Sequence, residues 1–143
     1  MILVDTNLLL YANVRGGEEH ARARQWFDEQ FRGNSRIGLP WHSLLGFVRI
    51  ASNPRAHSRY ATVDEAWTHV RGWLQADNVW VPQPTERHEE ILGEVFASTR
   101  SRTHDVMDAH LAALAIEHGL ILCSADRDFG RYPTLRWFNP LAV

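Results

Sequence analysis

Four aspartates, Asp5, Asp108, Asp126 and Asp128, occupy positions from which they could share a divalent cation. Asp5 closes the apolar run Ile2-Leu3-Val4, and Asp126 with Asp128 stands in the turn just after a second apolar run at 120–123. Ligands of open α/β sheets bind outside the carboxyl ends of the strands, so parallel strands would bring these two points to one edge. Asp108 falls in the first turns of the helical segment that leads into the second run. Its neighbours Ala109, Ala112 and Ala113 are small enough to let that helix approach the sheet closely. Unit charges roughly 4 Å apart repel by about 4 kcal/mol at an effective dielectric of about 20, so a gathering of carboxylates needs a positive answer. Arginine or histidine would serve. Hard oxygen donors without a Cys or His ligand pattern suit Mg2+ or Mn2+, which keep several waters and bind through a few carboxylates plus substrate phosphate. The chemistry implied is phosphoryl transfer, with one ion activating water and a second able to stabilise the leaving oxygen. Asp105 reads instead as a helix cap, and Asp128 equally well as a turn residue. Asp5 reads as functional, although Thr6 and Asn7 could make it part of a turn.

The elements that must position these acids are legible from periodicity. Ile2-Leu3-Val4, Ile37-Gly38-Leu39, Val79-Trp80-Val81, Leu120-Ile121-Leu122-Cys123 and Arg136-Trp137-Phe138 read as strands; runs apolar on both faces favour a parallel sheet covered by helices. Ala23, Trp26, Phe27 and Phe31 mark an amphipathic helix over about 17–32. A second, over about 42–52, is apolar nearly all round through Leu44, Leu45, Phe47, Val48 and Ile50, as expected of a buried helix or one that meets another chain; an interface is the favoured reading. Thr62-Val63-Asp64-Glu65 fits a capping box that opens a third helix. Ile91, Leu92, Val95 and Phe96 mark a fourth, and a fifth over about 104–118 ends at Gly119, which supplies a left-handed C′ residue. The fold class is α/β, with a mainly parallel sheet in one domain spanning 1–143.

Composition narrows the function. Seventeen acids against fifteen bases give a net charge of −2, so any nucleic-acid contact must be local rather than a basic coat. All fifteen bases are arginine, which suits bidentate phosphate contacts, though coding bias explains the same excess. The single Cys123 excludes an internal disulfide, and no apolar run approaches the ~18 residues of a membrane span. The opening residues lack a basic region and meet Asp5 at once, unlike a secretory signal. A soluble cytoplasmic protein with no membrane partner is expected.

Taken in order, four stretches resemble the PIN-domain ribonucleases, and more closely the toxin subunits of bacterial VapBC toxin–antitoxin pairs. They are Leu3-Val4-Asp5-Thr6-Asn7-Leu8-Leu9, Asp108-Ala109-His110-Leu111-Ala112-Ala113-Leu114-Ala115, Ser124-Ala125-Asp126-Arg127-Asp128-Phe129 and Arg136-Trp137-Phe138-Asn139-Pro140-Leu141. The resemblance implies a three-layer α/β/α sandwich, a homodimer, Mg2+- or Mn2+-dependent endonucleolytic cleavage of RNA, and inhibition by a cognate antitoxin. It makes Asp5, Asp108 and Asp126 the catalytic metal ligands and Asp128 an auxiliary one. Thr6 and Ser124 would orient metal water or the acidic side chains, with Asn7 beside them. One departure stands out. The family usually carries a glutamate early in its second major helix, whereas no Asp or Glu occurs between Phe31 and Val63, and Gly46 falls near the expected place.

Arg49, Arg55, His57, Arg59 and Tyr60 form a basic and aromatic cluster able to grip an RNA backbone and stack an unpaired base, or equally a solvated loop. Arg100 and Arg102 pose the same choice. Trp26, Phe27, Phe31 and Phe47 suit core better than contact with an antitoxin helix. Two other functions compete. A PIN-like module without the glutamate could bind RNA or a partner without cutting. A phosphotransferase with Asp5 as nucleophile is remote, because the haloacid-dehalogenase pattern wants an aspartate where Asn7 stands.

Overall fold

The computed structural model describes residues 1–14, 16–56 and 60–142. Five strands, β1 (Ile2–Val4), β2 (Ile37–Gly38), β3 (Val79–Trp80), β4 (Ile121–Cys123) and β5 (Trp137–Phe138), form one sheet in the order β3-β2-β1-β4-β5. Every neighbouring pair is parallel, as the two-faced apolar runs require, with Ile2 opposite both Ile37 and Ile121. The strand β1 has the expected bounds and the other four are each a residue shorter than the sequence suggests, although pairing runs on past β2, where the Leu39 N–H donates to the Trp80 carbonyl at 2.9 Å.

Among the described residues six α-helices cover the sheet: α1 (Thr6–Asn13), α2 (Glu18–Arg32), α3 (Trp41–Ala51), α4 (Val63–Leu74), α5 (His88–Thr99) and α6 (Val106–His118). Alternation along β1 divides the core. Val4 faces Leu8, Leu9, Phe27, Leu44, Phe47, Val70 and Trp73 of α1 to α4, while Leu3 faces Ile91, Val95, Leu111 and Leu114 of α5 and α6. The result is the expected three-layer sandwich. Phe27 and Phe47 are buried and meet Trp73 edge-on, at centroid distances of 5.6 and 4.8 Å. Phe31 and Trp26 pack against that core, and Trp26 also lines an open apolar groove with Ile2, Ile121 and Phe138.

The capping box is present in full: Glu65 N–H donates to Thr62 Oγ1 at 3.1 Å, and Thr62 N–H to Glu65 Oε1 at 3.3 Å. Gly119 takes the left-handed conformation at φ 66°. Two details differ from expectation. The helix α1, directly after Asp5, was not foreseen, because eight residues with the apolar run Leu8-Leu9-Leu10 show no helical period. The fifth expected helix begins as a 3₁₀ turn, Thr103–Asp105, and becomes α-helical at Val106. On α3, Ser43, Leu44, Phe47 and Ala51 are buried but Leu45 is 57% exposed, so the all-round apolar helix keeps one open side. There Trp41 stacks on Trp67 of α4, with ring centroids 6.3 Å apart.

Candidate active site

The chain builds its sheet outward from β1 to β3 on one side, then returns to lay β4 and β5 on the other. The crevice where direction reverses therefore lies between β1 and β4. Asp5 follows the first of these strands and Ser124 the second. Asp5 heads α1: its Oδ1 accepts the Thr6 N–H at 2.7 Å, and its Oδ2 accepts the Ser124 hydroxyl at 2.7 Å. Ser124 Oγ in turn accepts from Asn7 Nδ2 at 3.1 Å and from the Asp126 N–H at 3.0 Å, so its one donor and two lone pairs are all used. The Asn7 side-chain Oδ1 accepts the Ala125 N–H at 3.2 Å. Asn7 and Ser124 thus lock the start of α1 to the turn carrying Asp126. That turn is closed by Asp126 itself, whose Oδ1 accepts the Asp128 N–H at 2.9 Å.

Electrostatics place the acids together. Asp5 is only 9% exposed. Burial pushes its carboxyl above the ordinary range against the pull of Ser124, Thr6 and nearby His42, and the charge of Asp126 adds to the push. Asp108, projecting from the first turn of α6, is pushed up to about 6, by burial first and then by the charges of Asp5, Asp126 and Asp105, with Arg131 acting the other way. Asp5, Asp108 and Asp126 thus share one edge and an excess of negative charge. Among the described residues, no three His, Cys, Asp or Glu side chains converge into a finished metal cage. An open row of hard oxygen donors whose charge Arg131 and His42 offset only in part fits a cation that keeps waters and takes phosphate oxygens.

The other expected residues divide. The exposed Asp128 carboxylate makes no bond among the described residues. The Thr6 hydroxyl does not reach the acids: it donates to the Ser43 carbonyl at 3.1 Å and ties α1 to α3. Arg49, on the exposed side of α3, lies near enough to lower the pKa of His42. Arg55 and Tyr60 are exposed, whereas His57 and Arg59 lie outside the described residues. Asp105 is a structural acid, but its side chain does not cap the helix it precedes: Oδ2 reaches back to accept the Arg102 N–H at 3.0 Å, closing the 3₁₀ turn, and Oδ1 lies 2.8 Å from Arg131 Nη2.

Gly46 explains the missing acid in steric terms. A Cβ built there would lie 2.5 Å from Thr6 Oγ1, so a side chain on this face of α3 would have to displace the Thr6 hydroxyl. One turn earlier His42 feels the charge of Asp5, and burial lowers its pKa. His42 also meets His110 edge-on, with centroids 6.0 Å apart; His110 Nδ1 is 3.0 Å from His88 Nε2, and His88 Nδ1 is 2.5 Å from Glu117 Oε2. This row of imidazoles went unread in the sequence. The available signal was position: His42 opens the helix after β2, and His110 follows Asp108 within the same turn of α6. The buried Cys123 thiol, pushed up to about 12 by burial, is no nucleophile.

The sequence matches the PIN domain over residues 2–135. The chain is a member of the PIN-domain family. It is 39% identical to Ribonuclease VapC37 of Mycobacterium tuberculosis over 100% of this chain and 99% of that protein, and 37% identical to Ribonuclease VapC33 of the same species over 99% of each. Among solved structures it resembles Mycobacterium tuberculosis VapC20, described as a sarcin-ricin loop cleaving toxin, with a TM-score of 0.68 at 19% identity over 95% of this chain and 98% of that one. It also resembles a chain of VapBC2 from Rickettsia felis bound to a promoter DNA fragment, with a TM-score of 0.68 at 16% identity over 97% and 98%. These two likenesses concern the fold.

Proposed function

We propose that this PIN-domain chain is the ribonuclease toxin of a VapBC-type pair: an endoribonuclease, dependent on Mg2+ or Mn2+, that cleaves structured RNA and is held in check by a cognate antitoxin. The observation that carries the reading is that Asp108 stands close enough to Asp5 and Asp126, at the β1/β4 edge, to feel their charges, which add to burial in pushing it up to about 6. Full-length relatives named as ribonucleases support the activity, and VapBC complexes among the structural neighbours support the antitoxin. These three carboxylates would hold the ion, with Asp128 at the rim. Bound there, it would supply an acidified water as nucleophile and offset charge at the scissile phosphate. The chain's own part is positional. Ser124 and the Thr6 N–H fix both Asp5 oxygens, and Asn7 keeps the Asp126 turn against α1. Arg49, Arg55, Arg59 and Tyr60 would line the path of the RNA backbone. A homodimer would cover the open side of α3 and α4, where Trp41, Leu45, Val63 and Trp67 are exposed. Among the described residues no helix is long and apolar enough to cross a membrane.

The test is incubation of purified protein with several structured RNAs and Mg2+ or Mn2+. Cleavage is expected to disappear in EDTA and to fall at least about a hundredfold in Asp5→Asn, since even partners of metal ligands cost 10- to 100-fold. The α3 face without an acid, closed at Gly46, favours a second reading, a PIN-like module that binds RNA or a partner without cutting. Absence of cleavage across all the RNAs by the wild-type protein would select it.

A further inference from the structure

The pair that satisfies Asp105 leaves much of its arginine unspent. Asp105 stands just before α6 and is 4% exposed; Arg131 ends the 3₁₀ turn Arg127–Arg131 that follows Asp126. Their contact at 2.8 Å therefore joins the two segments that carry Asp108 and Asp126. Arg131 Nη2 also donates to Tyr132 Oη at 3.4 Å, and its guanidinium carbon lies 5.2 Å from the centroid of that ring. These contacts occupy one nitrogen and one face. Nε and Nη1 have no acceptor among the described residues, and the side chain is 34% exposed. A guanidinium is a rigid fork of five donors, suited to bidentate phosphate contact. Held from behind by a buried carboxylate, it has already lost the rotamer freedom that phosphate binding would otherwise cost. Its charge reaches Asp108, yet it is not hydrogen-bonded to it. By contrast Arg102, 73% exposed and 4.0 Å from Asp105, is not fixed in this way.

We propose that Arg131 binds a phosphate of the RNA beside Asp108, with Asp105 as the positioning residue behind it. The inference rests on the acid edge being the cleavage site. Its test measures binding in the Asp5→Asn background, with unfractionated bacterial transfer RNA as the probe, across a series of salt concentrations. Arg131→Gln is expected to weaken binding about five- to tenfold and to reduce the slope of log K against log salt by about 0.7 to 0.9, the share of one phosphate. Arg131→Lys restores the slope but not the full affinity, because the charge survives and the fork does not. Asp105→Asn keeps the arginine but frees it, so the slope stays near the parent's while affinity falls. Parental affinity and slope in Arg131→Gln would overturn the proposal, and parental affinity in Asp105→Asn would remove Asp105 from it. Should circular dichroism show Arg131→Gln unfolded, Arg131→Lys decides, since it keeps a cation for Asp105: undiminished affinity there overturns the proposal. Cleavage persisting in Asp5→Asn itself would refute the acid-edge reading instead, a result that the binding curves cannot mimic.

Discussion

Asp5 and Asp105 are both buried aspartates that stand at the head of a helical segment, 9% and 4% exposed, and the fold treats them in opposite ways. Asp105 receives the Arg102 N–H first, then Arg131 and His104, and together these hold its carboxyl below the ordinary range. Asp5 receives a hydroxyl and an amide but, among the described residues, no arginine, and burial pushes it up. Asp108, close to both, is pushed up to about 6. The chain evidently can answer a buried carboxylate from its own fifteen arginines where the acid's task is structural. At the β1/β4 crevice it leaves the charge standing. An energetic cost retained at a cleft between two strand ends marks a place reserved for a cation from outside.

The sharpest way to break this contrast is to supply the cation. A divalent ion at about 100 times its Kd adds about 2.7 kcal/mol to a folded state that alone binds it. Mg2+ or Mn2+ is expected to raise the thermal midpoint of the wild-type protein and of Asp105→Asn but not of Asp108→Asn. A full shift in Asp108→Asn, read by differential scanning calorimetry, would show that the two acids are not different in kind. Without metal, in EDTA, the two substitutions are expected to move the midpoint in opposite directions. Asp108→Asn removes a repelled charge and raises it; Asp105→Asn removes the partner of Arg131 and lowers it. Equal signs would erase the distinction.

Titration sharpens the same point. The Asp108 carboxyl moves from an ordinary 3.8 to about 6 on folding, so between those values the folded chain holds more protons than the unfolded one. Metal-free stability from this group therefore rises as the pH falls from about 6 towards 4, and Asp108→Asn abolishes the rise. Asp105 does the reverse. Its pKa is lowered, so its contribution is present above the ordinary carboxylate range and is lost as the pH drops through the folded value. Urea unfolding at several pH values in EDTA separates the two slopes.

The parts of this picture that were legible in the sequence are those written in local pattern. Two-faced apolar runs gave the parallel strands, and Asp5 and Asp126 were visible because they stand one and three residues beyond such runs. Thr62 and Glu65 announced their helix through reciprocal caps, and Gly119 the end of another. What stayed hidden depends on contacts between distant residues or on lengths too short for periodicity. The helix α1 has only eight residues, and β2, β3 and β5 have two each, so their ends are set by pairing rather than pattern. Nothing local says that Arg131 turns to Asp105, or that the Thr6 hydroxyl is spent on α3 rather than on the acids. His42 looks like one polar residue in an apolar helix until β2 is laid beside β1 and brings it within reach of Asp5.

The smallest expected effect concerns the wall that carries no acid. Gly46 lies inside α3, where replacing glycine by alanine in an open helix gains about 1 kcal/mol. Here the new methyl would fall 2.5 Å from Thr6 Oγ1, so Thr6 must turn and give up its 3.1 Å bond to the Ser43 carbonyl. Overpacking costs about 1 to 3 kcal/mol, and a lost bond roughly 1 more, which together exceed the gain. Gly46→Ala is therefore expected to lower stability by about 1 kcal/mol in urea unfolding, the low end of that balance because the methyl meets a side-chain hydroxyl that can turn, with no change in the pH slope, because it alters space and not charge. The displaced Thr6 carries the N–H that holds Asp5, so metal affinity should fall slightly as well. A stabilised Gly46→Ala protein would mean that α3 can retreat from α1. Room for a side chain would then exist at that wall, and steric exclusion would no longer account for the missing acid.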